Sequence, residues 1–182
     1  MSFRHKAFYG ATGTGKTWLI KRIIKILLKN KQIVLIYSGV ADTFPKGAKV
    51  FYDADSFEAA LADRSNFGAH VFIDEGAVLY DEAIPKKDYP NIHFLFQKGR
   101  HKGFTAYITT QYPTSIPRKV RVNCQECYCF RLGDEESANL VYKDYSRLNY
   151  DGQPLNRAIT NLPAKLECLH IVSPDFVEKI SL

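Results

Sequence analysis

A glycine-rich octet limits the folds open to this chain more than any other feature. Gly10, Ala11, Thr12, Gly13, Thr14, Gly15, Lys16 and Thr17 fit the pattern G-x-x-x-x-G-K-[ST], between a short apolar run at 7–9 and a helical period over 17–29. Glycines let successive backbone N–H groups point at one anion, and the helix that follows adds the positive end of its dipole. The octet therefore predicts strand, phosphate-cradling loop and helix. In that unit Lys16 is expected to reach the β and γ phosphates of a nucleotide and Thr17 to hold Mg²⁺.

The remaining pattern extends this unit into an α/β sheet. Apolar or β-branched runs at 32–37, 49–52, 70–73, 104–110, 126–132 and 166–172 read as strands, the last one peripheral. Segments 56–64, capped at Asp55 or Ser56, 91–98 and 134–145 read as helices. Strands alternating with helices predict a mainly parallel sheet flanked by helices, with ligands at the carboxyl ends of its strands. At 182 residues, without repeats or a linker-like tract, the chain is expected to form a single domain over 1–182. Its apolar content of 46% excludes global disorder. The longest apolar stretch is interrupted by Lys21, Arg22 and Lys25, so neither a membrane span nor an export signal is expected.

Further along, Asp74 and Glu75 stand at the end of the 70–73 run. Adjacent carboxylates at a strand end suit two tasks, Asp74 in the Mg²⁺ shell and Glu75 as the base that takes a proton from attacking water. The 104–110 strand runs into Gln111, which in a parallel sheet comes beside the γ phosphate and can orient that water. A second acid favours water as the phosphoryl acceptor over a small molecule, which argues against a kinase.

Charge is unevenly placed. Between Tyr89 and Gln125 there is no Asp or Glu, while Lys98, Arg100, Lys102, Arg118, Lys119 and Arg121 are basic and equal the whole net charge of +6. Such a segment suits phosphates, of DNA or of a nucleotide on a neighbouring subunit. Lys102, Arg118, Lys119 and Arg121 are the candidate DNA contacts.

Taken together, the lysine loop, the Asp-Glu strand end, Gly99-Arg100-His101, Thr110-Gln111 with Pro113, and Ile116-Pro117 leading to Val120-Arg121-Val122-Asn123 resemble the FtsK/HerA superfamily of DNA-pumping ATPases. Within it, the short length and the Gly-Arg-His motif most resemble the genome-packaging ATPases of poxvirus-like viruses, tailless icosahedral phages and archaeal viruses. The similarity covers roughly residues 7–132. It implies a RecA-like core with strand order 5-1-4-3-2 and a ring of six subunits. It further implies ATP-driven movement of double-stranded DNA into a capsid, with a capsid or vertex protein as partner, in the host cytoplasm or at the virion vertex. It also implies an arginine finger acting on the neighbouring subunit's nucleotide, for which Arg100 is the first candidate and Arg121 the second.

An alternative is an assembly or export ATPase like the zonula-occludens-toxin family of filamentous phages, whose members usually carry a transmembrane segment; a small-molecule kinase and a nucleotide-binding module without turnover rank lower. Cys124, Cys127, Cys129 and Cys168 are expected to be buried reduced thiols rather than zinc ligands, because strand alternation puts Cys127 and Cys129 on one face and Cys124 elsewhere. Phe8, Tyr9 and Trp18 are expected in the core.

Overall fold

The computed structural model describes residues 4–39, 41–80, 87–173 and 176–182. Its elements are β1 (His5–Tyr9), α1 (Lys16–Lys29), β2 (Val34–Ser38), β3 (Lys49–Phe51), α2 (Ala54–Ala62), β4 (His70–Asp74), α3 (Gly76–Tyr80), α4 (Pro90–Lys98), β5 (Thr105–Thr110), α5 (Arg118–Arg121), β6 (Cys124–Phe130), α6 (Glu135–Asp144), β7 (Asn149–Tyr150), β8 (Gln153–Pro154), α7 (Leu155–Thr160), β9 (Glu167–Val172) and β10 (Phe176–Ser181). Eight strands form one sheet in the order β10-β9-β6-β1-β5-β4-β2-β3. Numbering β1, β2, β4, β5 and β6 alone in chain order gives 5-1-4-3-2, all parallel. The sheet departs from the expected order by its additions: β3 beyond β2, and the antiparallel pair β9 and β10 beyond β6.

Parallel strands buried on both faces explain the unbroken apolar runs. Along β1, Ala7 and Tyr9 enter one core and Phe8 the other. Leu19, Ile20 and Ile24 of α1 cover the Phe8 face, whereas α2, α4, α6 and α7 cover the opposite one. Helix starts follow local chemistry. Asp53, not Asp55 or Ser56, caps α2 by accepting from the Ser56 N–H at 2.7 Å, and Asp134 does the same for α6 through Ser137 at 2.7 Å. The first turn of α4 is capped from outside, Glu58 accepting from the N–H groups of Asn91 and Ile92 at 2.8 and 2.9 Å.

Two expectations need correction here. A register shift leaves Gln125 unpaired between the partners His5↔Cys124 and Lys6↔Glu126, and this bulge turns Cys124 into the same core as Cys127 and Cys129. Cys168 is the thiol on the other face. All four are free and buried; burial pushes the Cys124 and Cys127 thiols up, and that of Cys168 to about 12. The second correction is Trp18, which is 47% exposed rather than core.

The added strands are pinned to the parallel sheet by charge. Glu126 of β6 pairs with Lys6 of β1 and with His170 of β9, the latter at 3.0 Å, and accepts from the Tyr128 hydroxyl at 2.9 Å. Burial alone would raise the Glu126 carboxyl, but these hydrogen bonds and the Lys6 charge outweigh it and bring the group down to about 2. His170 is raised above 6.5, chiefly by its bond to Glu126. The signs differ. Stability from Glu126 is present above its ordinary 4.5 and is lost as pH falls through about 2; that from His170 is present below 6.5 and is lost as pH rises through its raised value. Glu126→Gln is therefore expected to lower stability by roughly 2 kcal/mol near pH 6 and to flatten the decline toward pH 2. Denaturant unfolding across that range checks it, and parallel profiles for parent and variant would contradict it.

Candidate active site

The octet lies beyond the carboxyl end of β1, tied to its neighbours by backbone bonds. The Gly10 N–H donates to the Thr110 carbonyl at 3.3 Å, Ala11 N–H to Arg131 at 3.0 Å, and Leu166 N–H to the Thr14 carbonyl at 3.1 Å. Gly13 and Gly15 stand at φ 75° and 114°, where a side chain is strained, and Gly15 leads straight into α1. The loop therefore presents the free N–H groups of a fourteen-residue helix to whatever it encloses. Lys16 is 7% exposed, and its ammonium donates to the Gly10 and Ala11 carbonyls at 2.6 and 3.0 Å. Burial lowers its pKa, and the charges of Glu75 and Asp74 oppose that.

Two strands away in the sheet, β4 delivers Asp74 and Glu75 to the same edge. Thr109 of β5 joins them: its hydroxyl donates to Asp74 Oδ1 at 2.9 Å and accepts from the Glu75 N–H at 2.9 Å. The backbone of Glu75 is left-handed, at φ 49°. Its neighbour Gly76 packs closely on β5: a Cβ there would lie 2.4 Å from Ile108 Cδ1, so a larger residue would require Ile108 to shift. The chain turns at Glu75 after Asp74, and the Glu75 carboxylate meets Gln111, whose amide donates to it at 3.4 Å. Gln111 in turn accepts from the Thr12 hydroxyl of the loop at 2.7 Å. The loop, the acid and the strand-end amide thus form one connected set. Beside it, Ala11, Thr12, Gln111, Tyr112, Gly133 and Asp134 line a cleft of about 520 Å³.

Thr109 is the participant that the motifs do not single out. Its signal lies in register: the strand that ends in Gln111 pairs with β4, and Ile73 stands opposite Ile108, which puts position 109 beside Asp74. Burial raises the Asp74 carboxyl; the Thr109 hydroxyl and the Lys16 charge pull it back. The hydroxyl of Thr17 and the carboxylate of Asp74 are hard oxygen donors, the set that suits Mg²⁺ when phosphate oxygens and water complete its shell. Among the described residues, no group of three His, Cys, Asp or Glu side chains could hold a metal ion by itself.

The basic residues fall elsewhere. Arg100 is exposed on the 3₁₀ turn Gly99–Lys102 that precedes β5, at the amino end of the sheet. The six residues of β5 separate it from the loop, about 20 Å at the usual rise per residue. No arginine side chain spans that distance within one chain. Near it, His5 is lowered to about 4 by burial and then by the Arg100 charge.

Arg121 is corrected by its surroundings: it is 8% exposed, with Nε 2.7 Å from Asp144 and a further bond to the Ile116 carbonyl. It fastens α5 to α6 and offers no surface to DNA or to a neighbour's nucleotide. Lys102 is also held within the fold, donating to Asn91 Oδ1 at 2.7 Å and to the Leu61 carbonyl at 3.2 Å. Arg118 is exposed and Lys119 partly so.

Comparison with known proteins places this geometry. The structure superposes on the genome packaging NTPase B204 of Sulfolobus turreted icosahedral virus 2, in complex with AMPPCP, with a TM-score of 0.77, 19% identity and coverage of 100% of this chain and 99% of that one. It also superposes on the pCW3 conjugation coupling protein TcpA, in its monomer form with ATPγS, with a TM-score of 0.73, 19% identity, 99% of this chain and 60% of that one. The fold is that of the RecA-like P-loop ATPases. In sequence, the chain is 24% identical over 149 residues to uncharacterized protein 075L of Invertebrate iridescent virus 6, covering 75% of this chain and 58% of the viral protein. The chain thus spans little more than half the length of that relative. The model of the zonular occludens toxin family matches residues 6–142, from β1 into α6. That match takes in the loop, the acidic pair and the Gln111 strand end together, and the chain belongs to the zonular occludens toxin (Zot) family.

Proposed function

We propose that this protein is an ATPase that moves double-stranded DNA, packaging a viral genome into a preformed capsid. The observation that carries the reading is the connected set Thr12, Gln111, Glu75, Thr109 and Asp74 around the lysine loop. A kinase has no use for a strand-end amide holding a second acid, whereas hydrolysis needs an oriented water and a base. Loop N–H groups and Lys16 bind the phosphates. Thr17 and Asp74 would hold Mg²⁺, which would supply positive charge to offset that of the phosphates. Gln111 positions water, and Glu75 takes its proton. Arg100, facing outward at the far end of the sheet, serves the nucleotide of the next subunit in a ring, six copies by analogy with the family resemblance. The capsid or a vertex protein is the docking partner, in the host cytoplasm.

A second reading, an assembly or export ATPase, is favoured by the Zot match itself. No helix among the described residues is long and apolar enough to cross a membrane. Both readings require ATP hydrolysis; they differ in the nucleic acid that stimulates it.

Turnover measured with and without double-stranded DNA tests the proposal, and stimulation by the duplex is expected. Binding should be insensitive to sequence and fall steeply with salt, because phosphate neutralisation releases counterions. Arg118→Ala combined with Lys119→Ala should lower the slope of log affinity against log salt by about 2, roughly one unit for each cation removed from the phosphates. An unchanged slope would place the DNA-binding surface elsewhere on the molecule.

A further inference from the structure

The γ-phosphate side of the loop is taken by Thr12, Gln111 and Glu75. A nucleoside that leaves in the other direction crosses the first turn of α1. Two large apolar side chains border this part of the molecule, half-exposed, one on α1 and one against Gly15 of the loop. Trp18, directly after Thr17, is 47% exposed, and Leu166 is 50% exposed. The Arg22 guanidinium lies 5.3 Å from the indole centroid, occupying one face of a ring that has two. Trp18, Lys21, Arg22 and Lys25 line a cleft of about 240 Å³.

Leu166 is the less expected partner. It is a non-glycine residue in the left-handed region, at φ 64°. Its N–H donates to the Thr14 carbonyl of the loop, and its own carbonyl accepts from the Leu182 N–H at 2.8 Å. A Cβ built on Gly15 would lie 3.8 Å from Leu166 Cδ2 and 3.5 Å from Leu182 Cδ1. Two hydrogen bonds therefore hold a strained backbone so that an exposed leucine sits against the loop. Strain of this kind persists where the surroundings over-determine it, and it concentrates at ligand sites.

Resting on the reading of the octet as a nucleotide loop, we propose that the base of the bound purine nucleotide stacks on Trp18, with Leu166 as the second wall. The segment entering β9 is then part of the nucleotide site. Stacking reads the π face that adenine and guanine share, so the site takes ATP and GTP alike.

Trp18 is the only tryptophan in the chain, and its emission reports on this surface alone. MgATP and MgGTP are expected to quench it, whereas magnesium tripolyphosphate, which competes for the loop but has no base, is expected to leave it unchanged. Trp18→Ala should weaken ATP about tenfold, as loss of one aromatic stack does, with tripolyphosphate affinity unaltered. Trp18→Phe should restore most of the loss. Leu166→Gly removes the second wall while relieving the strained φ, so it should weaken ATP severalfold without lowering thermal stability. Equal quenching by ATP and tripolyphosphate, or unchanged ATP affinity in Trp18→Ala, overturns the proposal. So does a Trp18→Ala variant that loses DNA affinity alone, which would make this basic face a nucleic-acid surface. If neither ATP nor tripolyphosphate binds the parent protein, it is the loop assignment that falls, and the stacking site falls with it.

Discussion

Replacing Glu75 by Gln is expected to leave ATP affinity within a few-fold of the parent and to reduce turnover by roughly 10²–10⁴-fold, the range of a positioned general base. The substitution keeps the size of the side chain and its contact with Gln111 and removes only the capacity to accept a proton. The backbone that aims the group is independent of it. The Glu75 N–H is held by Thr109, and Gly76 packs closely on Ile108. The comparison is Lys16→Ala, which should lose nucleotide binding as well as turnover, because the buried ammonium is the charge proposed to meet the β and γ phosphates. Pre-steady-state binding of a fluorescent nucleotide separates the two variants, and phosphate release measures the rate. Turnover equal to the parent in Glu75→Gln would remove Glu75 from the mechanism and leave Gln111 as the water-positioning group.

Arg100→Ala should bind ATP about as well as the parent and lose turnover by roughly 10³-fold or more, the effect associated with arginine fingers. Within one chain Arg100 lies at the wrong end of β5 to touch the loop, so the proposed contribution requires assembly. A mixing experiment isolates this. Inactive Arg100→Ala and inactive Lys16→Ala subunits, combined in one ring, should regain partial activity wherever an intact loop meets an intact Arg100 across an interface. If mixed rings form and stay inactive, the trans role is wrong. Arg121 could not replace it, since Asp144 and the Ile116 carbonyl hold it inside the fold.

The parts of this molecule legible in the sequence are those governed by short-range rules. A glycine loop between an apolar run and a helical period has one common structural solution, and unbroken apolar runs fit strands covered on both faces. The parts that escape such rules depend on partners distant in the chain. Nothing in the string around Arg121 shows that Asp144 neutralises it, or around Lys102 that the Asn91 side chain and the Leu61 carbonyl are waiting. Alternation misplaces Cys124 because it assumes an uninterrupted ladder, and the extra residue at Gln125 shifts the register by one. The strand β10 is hidden because Glu178 and Lys179 dilute its apolar pattern; its place in the sheet comes from pairing with β9, which no local property reveals. Trp18 illustrates the opposite error. A tryptophan in an apolar helix invites a core assignment, although its position faces away from Ile20 and Ile24.

The buried thiols have an experimental consequence. Alkylating reagents attack the thiolate, and Cys124, Cys127 and Cys168 are both shielded and held far from ionisation. Cys129 is buried in the same core as Cys124 and Cys127. The native protein should therefore be silent to maleimide, and a cysteine introduced at an exposed position such as Arg118 would be the one group to take a dye or a cross-linker. Neighbours in an assembly could be mapped by paired labels without first stripping the natural cysteines from the core. Any slow labelling of the unaltered chain would count openings of the sheet itself.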